Sequence, residues 1–154
     1  MEKVVKRLIE LNKTISTMES CTGGSVVNSI TNVEGASEIL KFSAVTYSNE
    51  FKIKMGVSSE VIDKYSVYSM ETAMEMSKNI SLFTNSDYGV GVTGKLNRID
   101  KANLVGEDNV IYVSIYIKEK DDYCNFSLKA IKPNRRENKE LIVKEIENKL
   151  LSII

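Results

Sequence analysis

A short β-branched segment, Thr14–Met18, leads into a turn with two glycines, Gly23 and Gly24, and then into a helical pattern that begins at Ser25. This order predicts a strand, a turn and a helix. Polar side chains in the turn lie beside backbone N–H groups at the start of the helix, which have no helical acceptor. In the turn Glu19–Gly24, a nucleophile, a developing oxyanion or a bound phosphate would therefore find hydrogen-bond donors.

Comparable patterns predict the remaining elements. Helical periodicity predicts helices over about residues 2–11, 25–30, 59–64, 70–80 and from about 133 onward. Ser58 and Ser69 are expected to be N-caps, and Asn49 can cap the segment that follows it. Strand composition predicts a buried strand at 42–47, a central strand at 88–92 and a β-hairpin formed by 110–118 and 123–130. Polar loops are predicted at 32–37 and 94–109.

The alternation of strands and helices predicts one α/β domain over residues 1–154. We expect a three-layer α/β/α sandwich around a mixed, largely parallel sheet. In such sheets, ligands collect at the carboxyl ends of the parallel strands. Because Ser20, Tyr47 and Thr93 each lie at or near such an end, we expect them to share one cleft.

The chain contains no histidine, which excludes Ser-His-Asp and Cys-His catalysis and most transition-metal sites. Any general base must then be Lys, Asp, Glu or Tyr. The 21 basic and 21 acidic residues cancel, which favours a small-molecule partner over nucleic acid or an anionic membrane. Cys21 and Cys124 lack metal-ligand spacing and are expected to be reduced thiols. Because the chain has no apolar stretch of about 20 residues and no signal peptide, we expect a cytoplasmic protein.

Ser20 is the candidate nucleophile, and without histidine its base is expected to be a lysine whose pKa is lowered by its surroundings. Lys52 is the candidate, and it lies so far along the chain that the pairing must be tertiary. The hydroxyl of Tyr47 could relay or orient the proton. Alternatively, Ser20 and Thr22 cap a helix and Lys52 is a surface residue. Cys21 is either a rival nucleophile, since a helix start lowers a thiol pKa, or a small packing residue.

Three fragments of the chain, Glu19–Gly24, Gly35–Ser37 and Val45–Lys52, resemble E-S-C-T-G-G, G-S-S and V-T-Y-S-N-E-x-K of the CinA C-terminal domain family. Met55–Val57 resembles the L-G-V that follows in that family. The resemblance extends over essentially the whole chain. The family has a three-layer α/β/α fold, is often dimeric and includes nicotinamide-nucleotide amidohydrolases. These enzymes convert nicotinamide mononucleotide (NMN) to nicotinic acid mononucleotide and ammonia.

The resemblance implies a hydrolase of a linear amide bond that uses no cofactor and no metal, and a homodimer as its assembly. It implies Ser20 as nucleophile, with Lys52 and Tyr47 as its activating partners. Backbone amides near Cys21–Gly24 would hold the oxyanion. Substrate-binding roles are implied for residues of the glycine turn and of three later segments, namely Cys21, Thr22, Gly23, Gly24, Ser37, Thr93, Gly94 and Arg135.

The resemblance also implies that Arg135, at the start of the last helix, meets the substrate phosphate, with Arg136 as the alternative. The chain departs from the family after Gly94, where T-G-I-A-G-P is replaced by T-G-K-L-N-R. The added Lys95 and Arg98, with Lys101, either bind phosphate, lie in a solvated loop or mark another substrate. Two alternatives to the NMN amidohydrolase therefore stay open. One is a catalytically impaired nucleotide-binding or interaction module of the same fold, and the other is an amidase for another small amide.

Overall fold

The computed structural model describes every residue from Met1 to Ile154. Its strands are β1 (Ile15–Glu19), β2 (Leu40–Val45), β3 (Tyr88–Gly94), β4 (Val110–Ile117) and β5 (Asp122–Lys129). Its α-helices are α1 (Glu2–Glu10), α2 (Ser25–Thr31), α3 (Ala36–Ile39), α4 (Asn49–Lys54), α5 (Ser59–Tyr65), α6 (Met70–Thr84) and α7 (Arg135–Ile153). A 3-10 turn at Lys118–Lys120 joins the last two strands.

The five strands form one sheet in the order β2-β1-β3-β4-β5. β1 is parallel to both β2 and β3, and β4 pairs antiparallel with β3 and β5. At the carboxyl end of β1, Glu19 lies opposite Val45 of β2 and Val92 of β3. The ends of the three parallel strands therefore meet at one edge of the sheet, which is where α/β proteins bind their ligands.

Helices cover both faces of the sheet, so the predicted three-layer α/β/α sandwich is confirmed. On one face α1, α2, α3 and α7 pack against the sheet around a large core that includes Val5, Ile30 and Ile142. On the other face α5 and α6 enclose a smaller core that includes Met76 and Ile80. No helix of the structure has the combined length and apolar character that crossing a membrane requires.

Glycines in the central strand allow α6 to lie directly on the sheet. A Cβ atom built at Gly91 would be 2.2 Å from the carbonyl oxygen of Ala73, and one at Gly89 would be 2.0 Å from that of Ser77. Both oxygens belong to the backbone of α6, which cannot move aside as a flexible side chain would. The close backbone approach predicted from these glycines is confirmed.

Three local predictions are wrong. Residues 32–37, predicted to be a loop, include the first residues of α3. The strand predicted as buried, β2, is the edge strand of the sheet, so that Phe42 and Val45 are largely exposed. The N-cap of α4 is Ser48, whose hydroxyl accepts from the N–H of Phe51, and Asn49 is the first helical residue.

The caps of the next two helices differ from each other. Ser69 caps α6 as predicted, because its hydroxyl accepts a hydrogen bond from the N–H of Thr72. Ser58 occupies the N-cap position of α5 but makes no side-chain cap bond. The N-terminal N–H groups of α6, the longer helix, are therefore better satisfied than those of α5, which fits the position of α6 along the sheet.

Candidate active site

Ser20 and Lys52 come from neighbouring elements at the carboxyl edge of the sheet. Ser20 directly follows β1, and its N–H donates to the carbonyl oxygen of Val92 at 3.0 Å. The chain leaving β2 stays beside β1, because the N–H of Thr46 donates to the carbonyl oxygen of Glu19 at 2.9 Å. α4 then begins at Asn49 and brings Lys52 back over the end of β1.

The Lys52 ammonium group donates to Ser20 Oγ at 3.0 Å and to the carbonyl oxygen of Thr46 at 2.8 Å. Lys52 is only 2% exposed, although lysine is a residue that proteins rarely bury. Burial lowers the pKa of Lys52 to about 8, while a nearby thiol, Cys21, and a nearby carboxylate, Asp100, oppose that shift. An amine with this pKa can accept a proton near neutral pH.

The start of α2 is capped by the Glu19 carboxylate, not by Ser20 or Thr22. One carboxylate oxygen accepts from the N–H groups of Gly24 and Val26, at 3.0 and 3.1 Å, and the other from Val27 at 2.8 Å. Gly24 occupies the N-cap position and has no side chain for this purpose. These amides, which the sequence suggested as donors for an oxyanion or a phosphate, are therefore already occupied.

The turn keeps two free donors closer to Ser20. The N–H of Gly23 donates to the carbonyl oxygen of Ser20 at 3.0 Å, so the expected oxyanion role is closed to it. The N–H groups of Cys21 and Thr22 make no hydrogen bond in the protein. The donors for an oxyanion are therefore limited to the two residues directly after the serine.

The Cys21 thiol is a packing group. The side chain is buried within the larger core, and this burial raises its pKa to about 12. Lys52 and Arg135 lower the pKa, but they do not offset the loss of solvent. A thiol with so high a pKa holds very little thiolate at neutral pH, which weakens its candidacy as the nucleophile.

Tyr47 lies at the mouth of the site and is 64% exposed. Its hydroxyl accepts a long hydrogen bond of 3.4 Å from the Arg135 guanidinium, and it makes no hydrogen bond with Ser20 or Lys52. The structure therefore brings Ser20 and Lys52 together directly and places Tyr47 beside the arginine implied to meet phosphate.

A cleft of about 980 Å³ opens above Ser20 and Lys52. The segment after Gly94, residues 95–103, forms one wall, and Asn49, Tyr68 and Arg135 are among the other lining residues. The predicted polar loop therefore covers the site.

Side-chain contacts hold this loop in place. The hydroxyl of Tyr68 donates a short hydrogen bond to the Asp100 carboxylate, and Asn49 donates to the Asn103 side chain at 2.9 Å. Lys95 is buried and forms an ion pair with Asp108 at 3.0 Å. Lys95 is thus neither solvated nor free to bind a phosphate.

The cleft has an excess of unpaired positive charge. Of its acidic residues, Glu50 pairs with Lys54 outside the cleft, and Asp100 accepts from Tyr68 and Asn103. Besides Lys52, three cationic side chains of the lining form no ion pair, namely Arg98, Lys101 and Arg135. Such a surface favours an anionic ligand.

The residues singled out in the sequence fall into two groups. Those that line the cleft are Ser20, Cys21, Tyr47, Lys52, Gly94 and Arg135. Those that do not are Thr22, Gly23, Gly24, Ser37 and Thr93. Thr93 is buried and donates to the carbonyl oxygen of Val67 at 2.7 Å, so it anchors the segment before α6. Ser37 is exposed in α3, which precedes β2 and is remote from the carboxyl edge.

Sequence reasoning missed the roles of Glu19, Tyr68 and Asp100. Glu19 had a signal, because an acidic residue just before a helix whose N-cap is glycine can supply the missing cap. Tyr68 and Asp100 gave no such signal in the sequence, since their contact joins two irregular segments that carry no periodic pattern.

The family model of the CinA C-terminal domain matches residues 1–153. A CinA-like protein of Endomicrobium trichonymphae is 36% identical over 132 residues, which are 84% of this chain and 30% of that protein. A CinA-like protein of Kosmotoga olearia is 44% identical over 94 residues, which are 60% of this chain and 23% of that protein. The chain thus spans less than a third of the length of these curated relatives.

Solved structures with the same fold include a competence-damaged protein (CinA) superfamily protein of Escherichia coli. It has a TM-score of 0.88 and 22% identity, and the match covers 99% of this chain and 87% of that one. The competence/damage inducible protein CihA of Agrobacterium tumefaciens has a TM-score of 0.84 and 24% identity, with 98% and 93% covered. At this identity the two structures show the fold alone. The family match over nearly the whole sequence establishes that the chain belongs to the CinA C-terminal domain family.

Proposed function

We propose that the protein is a serine amidohydrolase that converts NMN to nicotinic acid mononucleotide and ammonia. The observation that carries this proposal is the buried contact of 3.0 Å between Lys52 Nζ and Ser20 Oγ. The substrate comes from the family resemblance, and the unpaired cations of the cleft support it because NMN carries a phosphate. The reaction needs a nucleophile, a base, an oxyanion site and a place for the phosphate.

In the first step, neutral Lys52 accepts the proton of Ser20 Oγ while that oxygen forms a bond to the carboxamide carbon. At pH 7 about a tenth of a group with a pKa near 8 is neutral, so the active fraction is substantial. The second hydrogen bond of Lys52, to the Thr46 carbonyl at 2.8 Å, orients the amine. The carbonyl oxygen of the substrate becomes an oxyanion.

Of the two free N–H groups, that of Cys21 belongs to a residue lining the cleft and is the donor available for that oxyanion, whereas Thr22 is buried and does not line the cleft. Backbone amides that face a developing negative charge need no reorganisation during the reaction, which makes them effective in lowering the barrier. Glu19 contributes indirectly, because its carboxylate holds the following amides of the turn in place.

The tetrahedral intermediate collapses when its C–N bond breaks. Protonated Lys52 gives its proton to the leaving nitrogen, which departs as ammonia and leaves an ester on Ser20. Lys52, neutral again, then takes a proton from a water molecule that attacks the ester carbon. When the C–O bond breaks, Lys52 returns the proton to Ser20 and the carboxylic acid is released, which then loses its proton to the solvent.

Arg135 is the best-placed group for the phosphate, because it lines the cleft, forms no ion pair and is held only by the 3.4 Å contact with Tyr47. Arg136 is less suitable, since it pairs with Glu140 at 3.2 Å and does not line the cleft. A guanidinium can bind two phosphate oxygens at once, which orients as well as attracts the ligand.

Ammonia release from NMN by the purified protein tests the proposal, with Ser20→Ala as the decisive variant. We expect turnover by the wild-type protein and a loss of at least about a thousandfold in Ser20→Ala. Ser37→Ala, which changes an exposed serine of α3 remote from the cleft, is the matched control and should retain activity.

Two other results would replace the proposal. Binding of NMN in calorimetry without ammonia would indicate a nucleotide-binding module of the same fold. Ammonia from other amides, but not from NMN, would indicate an amidase for another substrate. Activity that survives Ser20→Ala would remove Ser20 from the role of nucleophile.

A further inference from the structure

A second cavity of about 720 Å³ lies between α2 and α7, outside the cleft that holds Ser20 and Lys52. Its lining is almost entirely polar. α2 contributes hydroxyl and amide side chains, whereas α7 contributes four cations and two carboxylates. We call this cavity the α2–α7 groove. Arg135 lines both the groove and the cleft, so the two spaces meet at this guanidinium.

Ion pairs neutralise part of the charge in the groove. Arg136 pairs with Glu140 at 3.2 Å, and Lys144 pairs with Glu147 at 2.9 Å. Both acidic residues of the groove are therefore engaged, and Glu147 also pairs with the N-terminal ammonium of Met1. The two remaining cations, Arg135 and Lys139, form no ion pair.

Lys139 and Arg135 are four residues apart on α7, so they lie on the same side of the helix. Lys139 points at the catalytic turn, because its Nζ is 3.3 Å from the position that a Cβ at Gly23 would occupy. Lys139 is partly buried and makes no side-chain hydrogen bond. Arg135, at the edge of the cleft, and Lys139, in the groove, are thus two unpaired cations near the positive, N-terminal end of the long helix α7.

We propose that the α2–α7 groove binds the second phosphate and the adjoining nucleoside of a pyrophosphate-linked dinucleotide whose nicotinamide lies in the cleft. This inference rests on the proposed function, because it takes the phosphate next to the pyridine nucleoside to be at Arg135. The second phosphate then reaches Lys139. The polar side chains of α2, such as Asn28 and Asn32, provide hydrogen bonds for a sugar or a base.

Binding of NMN and of nicotinamide adenine dinucleotide (NAD) to the Ser20→Ala protein, measured by calorimetry, tests the inference. We expect NAD to bind about tenfold more tightly than NMN, the gain typical of one additional charged hydrogen bond. Adding Lys139→Met should remove this preference, so that the ratio of the two Kd values approaches one. Lys149→Met is the matched control, since this lysine lies on the same helix outside the groove, and the ratio should not change.

A Kd ratio that is the same with and without Lys139→Met, or NAD that binds no more tightly than NMN, overturns the inference. The inhibition constant of NAD against ammonia release from NMN, measured on the wild-type protein, provides a second test with no change at Ser20. If NMN is hydrolysed and NAD shows no preference in either measurement, only the groove assignment fails. If NMN is neither bound nor hydrolysed, the proposed function fails and the inference fails with it.

Discussion

Burial of Lys52 lowers the stability of the folded protein and also makes its amine suitable as a base. The amine of Lys52, which is 2% exposed, loses most of its hydration. Two hydrogen bonds compensate for this loss, and no ion pair does. The folded protein therefore holds the charged form less favourably than the unfolded chain does. The same imbalance makes the amine a base near neutral pH.

Substitution of Lys52 by Met should lower kcat by at least about a hundredfold, the usual contribution of a general base. In the wild-type protein, kcat/KM should rise with pH and level off above about 8, where the Lys52 amine is neutral. Steady-state ammonia release between pH 6 and 9.5 measures both. Lys54→Met changes an exposed lysine of the same helix and should leave the profile intact. A profile that is flat through pH 8 would contradict the assignment of Lys52 as base.

The stability of the protein should also depend on pH because the pKa of Lys52 is lowered. The pKa of Lys52 falls from 10.5 to about 8 on folding, so between these values the unfolded chain binds more protons and stability rises with pH. Below pH 8 both states are protonated, and the buried charge costs about 3 kcal/mol.

Lys52→Met removes this charge, so its free energy of unfolding relative to wild type should fall by about 2 kcal/mol between pH 7 and pH 10. Urea unfolding of both proteins at the two pH values gives this difference, in which other titrating groups cancel. Lys54→Met, as the control, should show no such pH dependence. An unchanged difference for Lys52→Met would mean that its pKa is not lowered.

Cys21 provides a test of nucleophile identity. Its thiol, with a pKa of about 12, should resist alkylation by iodoacetamide at pH 8 in the native state and react after unfolding. Cys21→Ala should keep most of the amidohydrolase activity that Ser20→Ala removes. Cys124 is partly exposed, so Cys124→Ala is used as the background in which labelling is quantified by mass spectrometry. Rapid native labelling of Cys21 would contradict the packing role.

At the scale of elements, the start of α2 depends on one carboxylate. Glu19 is fully buried and accepts three backbone N–H groups as well as the Thr17 hydroxyl. Because it is the last residue of β1, the same side chain joins a strand to the helix that follows it. The cap thereby fixes the angle at which the chain leaves the sheet and passes through Ser20.

Glu19→Gln should lower the free energy of unfolding by about 2 to 4 kcal/mol, because an amide nitrogen would replace an acceptor that faces N–H donors. It should also lower kcat, since the turn that carries the oxyanion donors would loosen. Urea unfolding and ammonia release measure the two effects. Glu34→Gln, in an exposed loop before α3, is the control and should change neither. A neutral effect of Glu19→Gln would show that the cap does not stabilise the turn.

At the scale of the whole molecule, a ligand that binds the folded state alone should stabilise it. For Ser20→Ala, NMN at a hundred times its Kd should raise the free energy of unfolding by about 2.7 kcal/mol. Thermal unfolding with increasing NMN measures the shift, with nicotinamide, which lacks the phosphate, as the control ligand. An unchanged Tm in the presence of NMN would contradict binding at the cleft.

The sequence predicts those parts of the molecule that local pattern determines. The strand, the glycine turn and α2 follow from short-range preferences. The pairing of Ser20 with Lys52 was reached because the absence of histidine left few bases and because the family fragments contain both residues. The homodimer implied by the resemblance stays a prediction, which sedimentation velocity can test.

Long-range contacts in irregular segments were beyond sequence reasoning. Tyr68 and Asp100 are 32 residues apart and join two segments that lie between regular elements. The exposed position of β2 was missed because its apolar composition is the same in an edge strand as in a central one. The buried ammonium of Lys95 is compensated near the other end of its own loop, where it pairs with Asp108 and donates to the Gly106 carbonyl.

Ser20 and Lys52 lie in the first half of the chain and are positioned by β1, β2 and α4. The wall of the cleft formed by residues 95–103 comes later in the sequence, after β3. The wall is attached by a few side-chain contacts, such as those of Tyr68 and Asn49, and makes no hydrogen bond to either catalytic candidate. Its one electrostatic effect on the pair is that Asp100 opposes the lowering of the Lys52 pKa. The segment from Lys95 to Asp108 is therefore one that could be exchanged as a unit. Exchanging it with the corresponding segment of a relative would give chimeras that share one reaction centre and differ in what they admit to it.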